Sequence, residues 1–403
     1  MDELVWKANF GDEQTAKYAQ REIRKAALSQ GVYPASIHNL YINRKYIPEK
    51  FTVPAINVRE LTYDFAQTIF KVAKELNVGT LIFEIARSEM KYTDQPPAEF
   101  VASILGAAIK QNWNGPVFMQ GDHFQPKAVT PGIPVEREIE SIQLLIKEAI
   151  EAGFYNIDID SSTLVDLTKH TVKDQQEPNI KYMLELGNFI RRCEPENIRI
   201  SIGGEIGHIG GKNSTVEDFE TFMEGVGTEL KLSKVSVQTG SSHGGTVLPD
   251  GTVKKVDIAF DVLQDISNIA RQKYNMGGAV QHGASTLDEI LFKQFPEKDT
   301  LEIHLATEFQ NIILEHPVFP KDLLEKMYNW LELNKKEEWE EGWNEEQFHY
   351  KLRKKAWGQF KEETWKIKPE VKTKLMESVA QELRFLFKNL KVENTRHIID
   401  KYI

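Results

Sequence analysis

One cysteine, Cys193, is present among 403 residues. An internal disulfide is therefore impossible, redox and Cys-zinc roles are set aside, and the usage agrees with a reducing compartment. No apolar run approaches the roughly 20 residues that span a bilayer. The first stretch, MDELVWKANFGDEQTAKYAQ, is too charged for a signal-peptide core. A cytoplasmic protein without membrane partners is expected. An excess of positive charge is also lacking: Lys+Arg 50 against Asp+Glu 60 gives a formal net charge of -10. An anionic ligand must then be captured by local groups rather than by a global field, and nucleic acid is an unfavourable partner. Low-complexity linkers are missing as well. So is a Gly-x-Gly-x-x-Gly after the first β-type run, which removes support for a dinucleotide fold.

What is present is ordinary globular material, 41% hydrophobic, 27% charged and 10% aromatic, able to bury a large core. Eight short β-type runs recur, each followed by helical patterning. They are TVPAIN (from Thr52), GTLIFEIA (from Gly79), GPVFMQGDH (from Gly115), YNIDIDSS (from Tyr155), RISIGGEIG (from Arg199), KVSVQTG (from Lys234), GAVQHGAS (from Gly278) and LEIHLAT (from Leu301). Eight strand–helix alternations over about 250 residues are the arithmetic of an α/β, (β/α)8 TIM barrel. The expected organisation is an N-terminal helical extension at 1–50, a barrel at 51–319 and a C-terminal helical extension at 320–403. The last is rich in Glu, Lys, Trp and Leu at helical spacing, which predicts helices packed on the barrel or on a second subunit.

The polar residues fall in a pattern. Of ten histidines, His123, His208, His243, His282 and His304 sit at or just beyond the ends of runs three, five, six, seven and eight. In a barrel those ends form one face, where active sites lie, so residues distant in sequence converge there. Asp122, Asp160 and Glu205 belong to the same set. His123 in GDH, His243 in SSHGG and His282 in QHGAS have small neighbours that let a ligand approach the backbone. Three neutral imidazoles with an open fourth position suit a catalytic Zn2+ or another divalent transition metal.

The ordered series VPAINV, GDH, IDSSTL, GGEIGHIGG, TGSSHGG, QHGAS and LATE, from Phe51 to Glu308, resembles the class II, metal-dependent fructose- and tagatose-bisphosphate aldolases. The resemblance implies that His123, His243 and His282 hold the metal and that Asp122 is the acid/base at the substrate hydroxyl. It makes Asp160 and Glu205 candidates for a second or displaced metal. Asn57, Gly244, Gly283, Ser285, His304 and Thr307 become candidate substrate contacts, and a monovalent cation is a further candidate cofactor. The chemistry implied is Lewis-acid-assisted cleavage of the C3–C4 bond of a ketose, without a lysine Schiff base. Asp122 would take the C4 hydroxyl proton in cleavage and return it in condensation. Small sugars or sugar phosphates are the expected partners, and relatives suggest a homo-oligomer, dimer or tetramer.

Departures from the family pattern bear on the substrate. The lysine that usually follows the family's HG is about Leu248 here. The asparagine of its strand-eight motif is His304, and the residue before Thr307 is Ala306. The acidic residue expected after Gly210-Gly211 is absent, since KNSTVEDF follows, leaving His208, Glu217 and Asp218 as candidate proton shuttles. Three functions stay open at this point. The first is a ketose-bisphosphate aldolase. The second is a C4 epimerase acting on a ketose or keto-sugar acid, of tagaturonate/fructuronate or tagatose/fructose type. The third is a non-catalytic barrel subunit.

Overall fold

A computed structural model describes residues 1–126, 135–207, 212–240, 248 and 257–403. Nine strands are present among them: β1 (Val32–Ala35), β2 (Val53–Asn57), β3 (Ile82–Ala86), β4 (Gly115–Phe124), β5 (Asn156–Ile159), β6 (Ser201–Glu205), β7 (Lys234–Val237), β8 (Ala279–Gln281) and β9 (Glu302–Leu305). All pairings are parallel, in the order β1-β4-β3-β2-β9-β8-β7-β6-β5, and a β4–β5 pairing closes the ring. Strands β2 to β9 coincide with the eight runs read from the sequence and form a (β/α)8 TIM barrel. Such strands are covered on one face by helices and filled from the other, so they read as nearly continuous apolar runs.

The N-terminal segment is helical and adds one strand that the sequence did not announce. After helices Asp2–Phe10 and Glu13–Ser29 the chain forms β1, which pairs with the first half of β4 from Val32↔Gly115 to Ala35↔Phe118. Its four residues are too few to show a period, and Pro34 reads as a turn. The strand forms because β4 is ten residues long and β5 pairs only with its second half, from Gln120 onward. Pro34 lacks an N–H, which an edge strand tolerates. Asn156 joins the three strands where β4 and β5 part: its Nδ2 donates to the carbonyls of Ala35 (3.2 Å) and Met119 (2.9 Å), and its Oδ1 accepts from the Ile37 N–H.

The C-terminal segment is helical and packs on the barrel. Helix Pro369–Asn389 buries Leu375, Val379, Leu383 and Phe387, a stripe at four-residue spacing, against helix Thr62–Glu75. Farther on, Thr395 Oγ1 accepts from the N–H groups of Gly79 (3.0 Å) and Thr80 (3.2 Å), pinning the chain end beneath β3. Among the described residues no helix is long and apolar enough to cross a membrane.

Candidate active site

The C-terminal ends of the strands gather the polar residues around a cavity of about 850 Å³. Its lining includes Asn57, Asp122, His123, His282, Gly283, Ser285, His304 and Thr307. Each comes from a strand end or from the residues that follow it. Gly283 turns the chain away after β8 with φ +64, a left-handed conformation that costs glycine little.

Strand β4 shows how local backbone shape serves the site. In a regular strand Asp122 and His123 would point to opposite faces. Here the β4–β5 register shifts between Gly121 and Phe124, and His123 adopts φ +41. A bulge of this kind re-aims side chains beside a functional face, and both residues line the same cavity.

His123 Nδ1 lies 2.8 Å from Asp160 Oδ2 and 3.4 Å from Glu205 Oε2. His282 Nδ1 lies 3.7 Å from Glu205 Oε1, and the two imidazole centroids are 4.4 Å apart. His123, Glu205 and His282 thus present ligand atoms within 4.8 Å of one another. Asp160 also accepts from Ser162 N (3.1 Å) and Ser162 Oγ (2.6 Å), which holds its carboxylate beside His123. Beside this group Asp122 Oδ1 is 3.3 Å from His304 Nδ1 and 3.7 Å from His282 Nε2. The imidazole of His304 packs edge-on to that of His282, with centroids 4.2 Å apart.

Beneath the mouth lies a charged layer that sequence reasoning missed. Lys234, fully buried at the start of β7, has its Nζ 2.8 Å from Asp158 Oδ2 and 2.5 Å from Glu302 Oε1. Gln120 donates to Glu84 (3.1 Å) and Glu302 (3.0 Å), and Tyr41 donates to Glu302. His304 connects the two layers, with Nδ1 3.0 Å from Glu84 and Nε2 2.7 Å from Glu302. Barrel interiors are usually filled by branched apolar side chains. A signal was available: Glu84 and Asp158 interrupt otherwise apolar runs at alternate positions, which places them on the inward face.

Burial and close charges set the protonation states. Burial alone would raise Asp122, but the imidazoles of His123 and His304 hold its carboxyl well below the usual range. Burial, then the nearby His304 and His123, push His282 well below an ordinary histidine, which keeps it neutral and able to bind a cation. For His123 and His304 burial is outweighed by facing carboxylates, Asp122 and Glu205 for the first and Glu84 and Asp122 for the second, and both are raised, so a cation bound at His123 would have to displace its proton. Burial raises Asp158 to about 6 in spite of Lys234.

The donor set fits a divalent cation. Six carboxyl groups are buried here, Glu84, Asp122, Asp158, Asp160, Glu205 and Glu302, of which burial raises Glu84 and Asp158, against the ammonium of Lys234 and the imidazoles of His123, His282 and His304. Buried negative charge in excess of its partners is strongly unfavourable without a counter-ion. The His123–Glu205 separation of 3.4 Å matches the edge of a tetrahedron with metal–ligand bonds of about 2.0–2.1 Å.

The remaining predicted residues divide. His208, His243 and Gly244 lie outside the described residues. Glu217 is exposed on helix Val216–Val226, and Asp218 accepts from the N–H (2.8 Å) and Oγ1 (2.7 Å) of Thr215 as part of that helix's N-terminal cap. Neither lines the cavity. Asn57 is buried, with Nδ2 bonded to Glu89 and Oδ1 accepting from Arg59 Nε at 3.2 Å. Ser285 Oγ accepts from the Glu308 N–H at 3.4 Å, beside the start of helix Thr307–Leu314.

Comparison with known proteins agrees with this architecture. The fructose-bisphosphate aldolase from Campylobacter jejuni has TM-score 0.52 at 16% identity, covering 91% of this chain and 98% of that one. The YdjI aldolase from Escherichia coli K12 has TM-score 0.51 at 13% identity, covering 88% and 96%. The fructuronate-tagaturonate epimerase UxaE from Cohnella laeviribosi has TM-score 0.56 at 10% identity, covering 96% and 85%. At these identities the likenesses show the fold. No curated protein matches the chain in sequence. The family described as fructose-bisphosphate aldolase class-II, generally metal-dependent enzymes, matches residues 42–385, and the chain belongs to that family.

Proposed function

We propose that the protein is a metal-dependent enzyme of reversible aldol chemistry, cleaving a ketose (bis)phosphate such as fructose 1,6-bisphosphate or tagatose 1,6-bisphosphate. The observation that carries this reading is the placement of buried Asp122 beside the His123–Glu205–His282 cluster at the mouth of the barrel. His123 and His282, with His243 as the third imidazole, would hold zinc or another divalent transition metal, with Glu205 and Asp160 available for a second or displaced position. A divalent ion there supplies Lewis-acid polarisation of the ketose carbonyl.

The chain's own groups do the rest. Asp122, held in its ionised form, takes the proton of the C4 hydroxyl as the C3–C4 bond breaks, and the electron pair of that bond passes to the C2 carbonyl. In condensation Asp122 returns the proton. Ser285, Thr307 and the backbone at Gly283 bind the ketose-phosphate end, since hydroxyls and free N–H groups at a helix start bind anions without a lysine. The deep position of Asp122 excludes water and strengthens each of these contacts.

One observation favours a second reading, a C4 epimerase acting on a ketose or keto-sugar acid. Where the family usually has a lysine the chain has Leu248, 37% exposed, and where it has an asparagine the chain has His304. Retro-aldol cleavage, rotation of the retained aldehyde and re-addition would use the same residues. The test is incubation of metal-loaded protein with fructose 1,6-bisphosphate, tagatose 1,6-bisphosphate, free fructose and tagaturonate. Triose phosphate release that stops on chelation supports the aldolase. Interconversion at C4 without three-carbon products supports the epimerase. Neither change with any of the four would sink both.

A further inference from the structure

A second group of ligand atoms lies beside the first and shares one ring with it. Asp122, His282 and His304 present ligand atoms within 4.8 Å of one another. Asp122 Oδ1 makes both short separations, 3.3 Å to His304 Nδ1 and 3.7 Å to His282 Nε2. The shorter one matches the edge of a tetrahedron with metal–ligand bonds of about 2.0–2.1 Å. All three residues line the cavity, so a further coordination position opens into it. Asp122 and His304 are buried, yet neither Asp122 Oδ1 nor His304 Nδ1 has a hydrogen-bond partner among the described residues. Two such atoms face to face are costly to bury unless a cation, a proton or a metal ion, joins them.

Local structure prepares His304 as a ligand. Glu302 and His304 are alternate residues of β9 and therefore share its inward face. His304 Nε2 lies 2.7 Å from Glu302 Oε1, and that oxygen is held in turn by Lys234 Nζ at 2.5 Å and Gln120 Nε2 at 3.0 Å. A carboxylate behind an imidazole takes the N–H of one ring nitrogen and turns the lone pair of the other forward, the arrangement that backs metal-ligating histidines. In His304 the forward nitrogen is Nδ1, which faces Asp122 and also Glu84 Oε2, 3.0 Å away. The group at His123 and Glu205 meets the opposite edge of His282, whose Nδ1 is 3.7 Å from Glu205 Oε1. The two groups therefore use different nitrogens of one ring.

We propose that Asp122, His282 and His304 form a second site for a divalent transition ion, adjoining the one at His123 and Glu205 and sharing His282 with it. Imidazole nitrogen and carboxylate oxygen together suit such an ion. When both sites are filled His282 bridges them and gives up its ring proton to solvent, while His304 keeps the N–H toward Glu302. The consequence for turnover rests on the aldol reading of the cavity. An ion on Asp122 occupies the oxygen lone pairs that take the C4 hydroxyl proton, so the filled second site is a brake. The histidine that stands where the family pattern has an asparagine supplies the ligand that creates it, since an amide is a poor donor to a transition ion.

The test adds Co2+ to metal-free full-length protein and reads bound metal per chain by equilibrium dialysis, with visible absorption reporting the ligands. Wild type is expected to bind two equivalents, the second more weakly and with its own absorption band. His304→Asn and Asp122→Asn should each stop at one equivalent, and an unchanged band for that first ion shows that the variants are folded. Glu302→Gln should keep both ions and weaken the second about tenfold. One equivalent in wild type, or two in His304→Asn, overturns the second site. In the four-substrate assay turnover should rise with the first equivalent and fall by about half or more with the second. Turnover that stays level through the second equivalent overturns the brake. Two equivalents in wild type and one in His304→Asn, with none of the four substrates converted, remove the aldol reading and leave the metal site standing.

Discussion

The imidazole of His282 faces two acids at once: its Nε2 lies 3.7 Å from Asp122 Oδ1 and its Nδ1 3.7 Å from Glu205 Oε1. One ring therefore links the cluster that would hold the cation to the carboxylate that would move the proton. A carboxylate behind a ligating imidazole fixes its tautomer and orientation, so the two functions are coupled through this side chain.

That coupling separates two variants. His282→Ala is expected to lose bound metal, measured as metal per chain, together with activity. Asp122→Asn is nearly isosteric and should keep the metal while kcat falls by about 10²–10⁴. Full metal occupancy in His282→Ala, or an unchanged kcat in Asp122→Asn, would contradict the assignment.

Chelation should destabilise the fold as well as stop the chemistry, because the buried acids lose their counter-ion. With free metal at 100 times its dissociation constant, the folded state gains about 2.7 kcal/mol from binding. Thermal melts with and without chelator read this directly, and coincident melts would argue against a metal at these residues.

Lys234 makes the layer under the mouth depend on one ammonium. Replacing it by Met removes the ammonium between Asp158 and Glu302 and leaves them only the imidazole of His304, and a loss of about 3–5 kcal/mol is expected. The double variant Lys234→Met with Glu302→Gln should recover part of that loss in a denaturant titration. A single variant as stable as wild type would show that the layer is not held by this charge.

Glu60 sets a pH dependence of stability. Its carboxyl is pushed up to about 8 by burial, and neither oxygen has a hydrogen-bond partner among the described residues. The folded state therefore keeps a proton that the unfolded chain, with a carboxyl near about 4.3, has lost. Stability should fall as pH rises between these two values and level off above the upper one. Glu60→Gln removes the share due to this group: the variant should lie close to wild type near pH 5 and exceed it at pH 8 by about 1–3 kcal/mol. Parallel stability curves for the two proteins would contradict the assignment.

The sequence by itself determined the eight barrel strands and the histidines at their ends. These are local properties: apolar runs of strand length, punctuated by glycine and followed by helical spacing, specify elements whatever they later pack against. The strand-end rule then places His123, His282 and His304 on one face without knowledge of any contact. Only the tertiary structure decided the rest. Strand β1 exists because β4 outruns its neighbour, a fact about two distant segments. Lys234 reads as the polar start of a strand until Asp158 and Glu302 close around it from other strands. Lys354 reads as one more charge in a basic run until Arg353 and Lys355 are taken by Glu315 and Glu338 and it is left facing the cavity. Which charge is paired and which is free depends on long-range packing, and no local period carries that information.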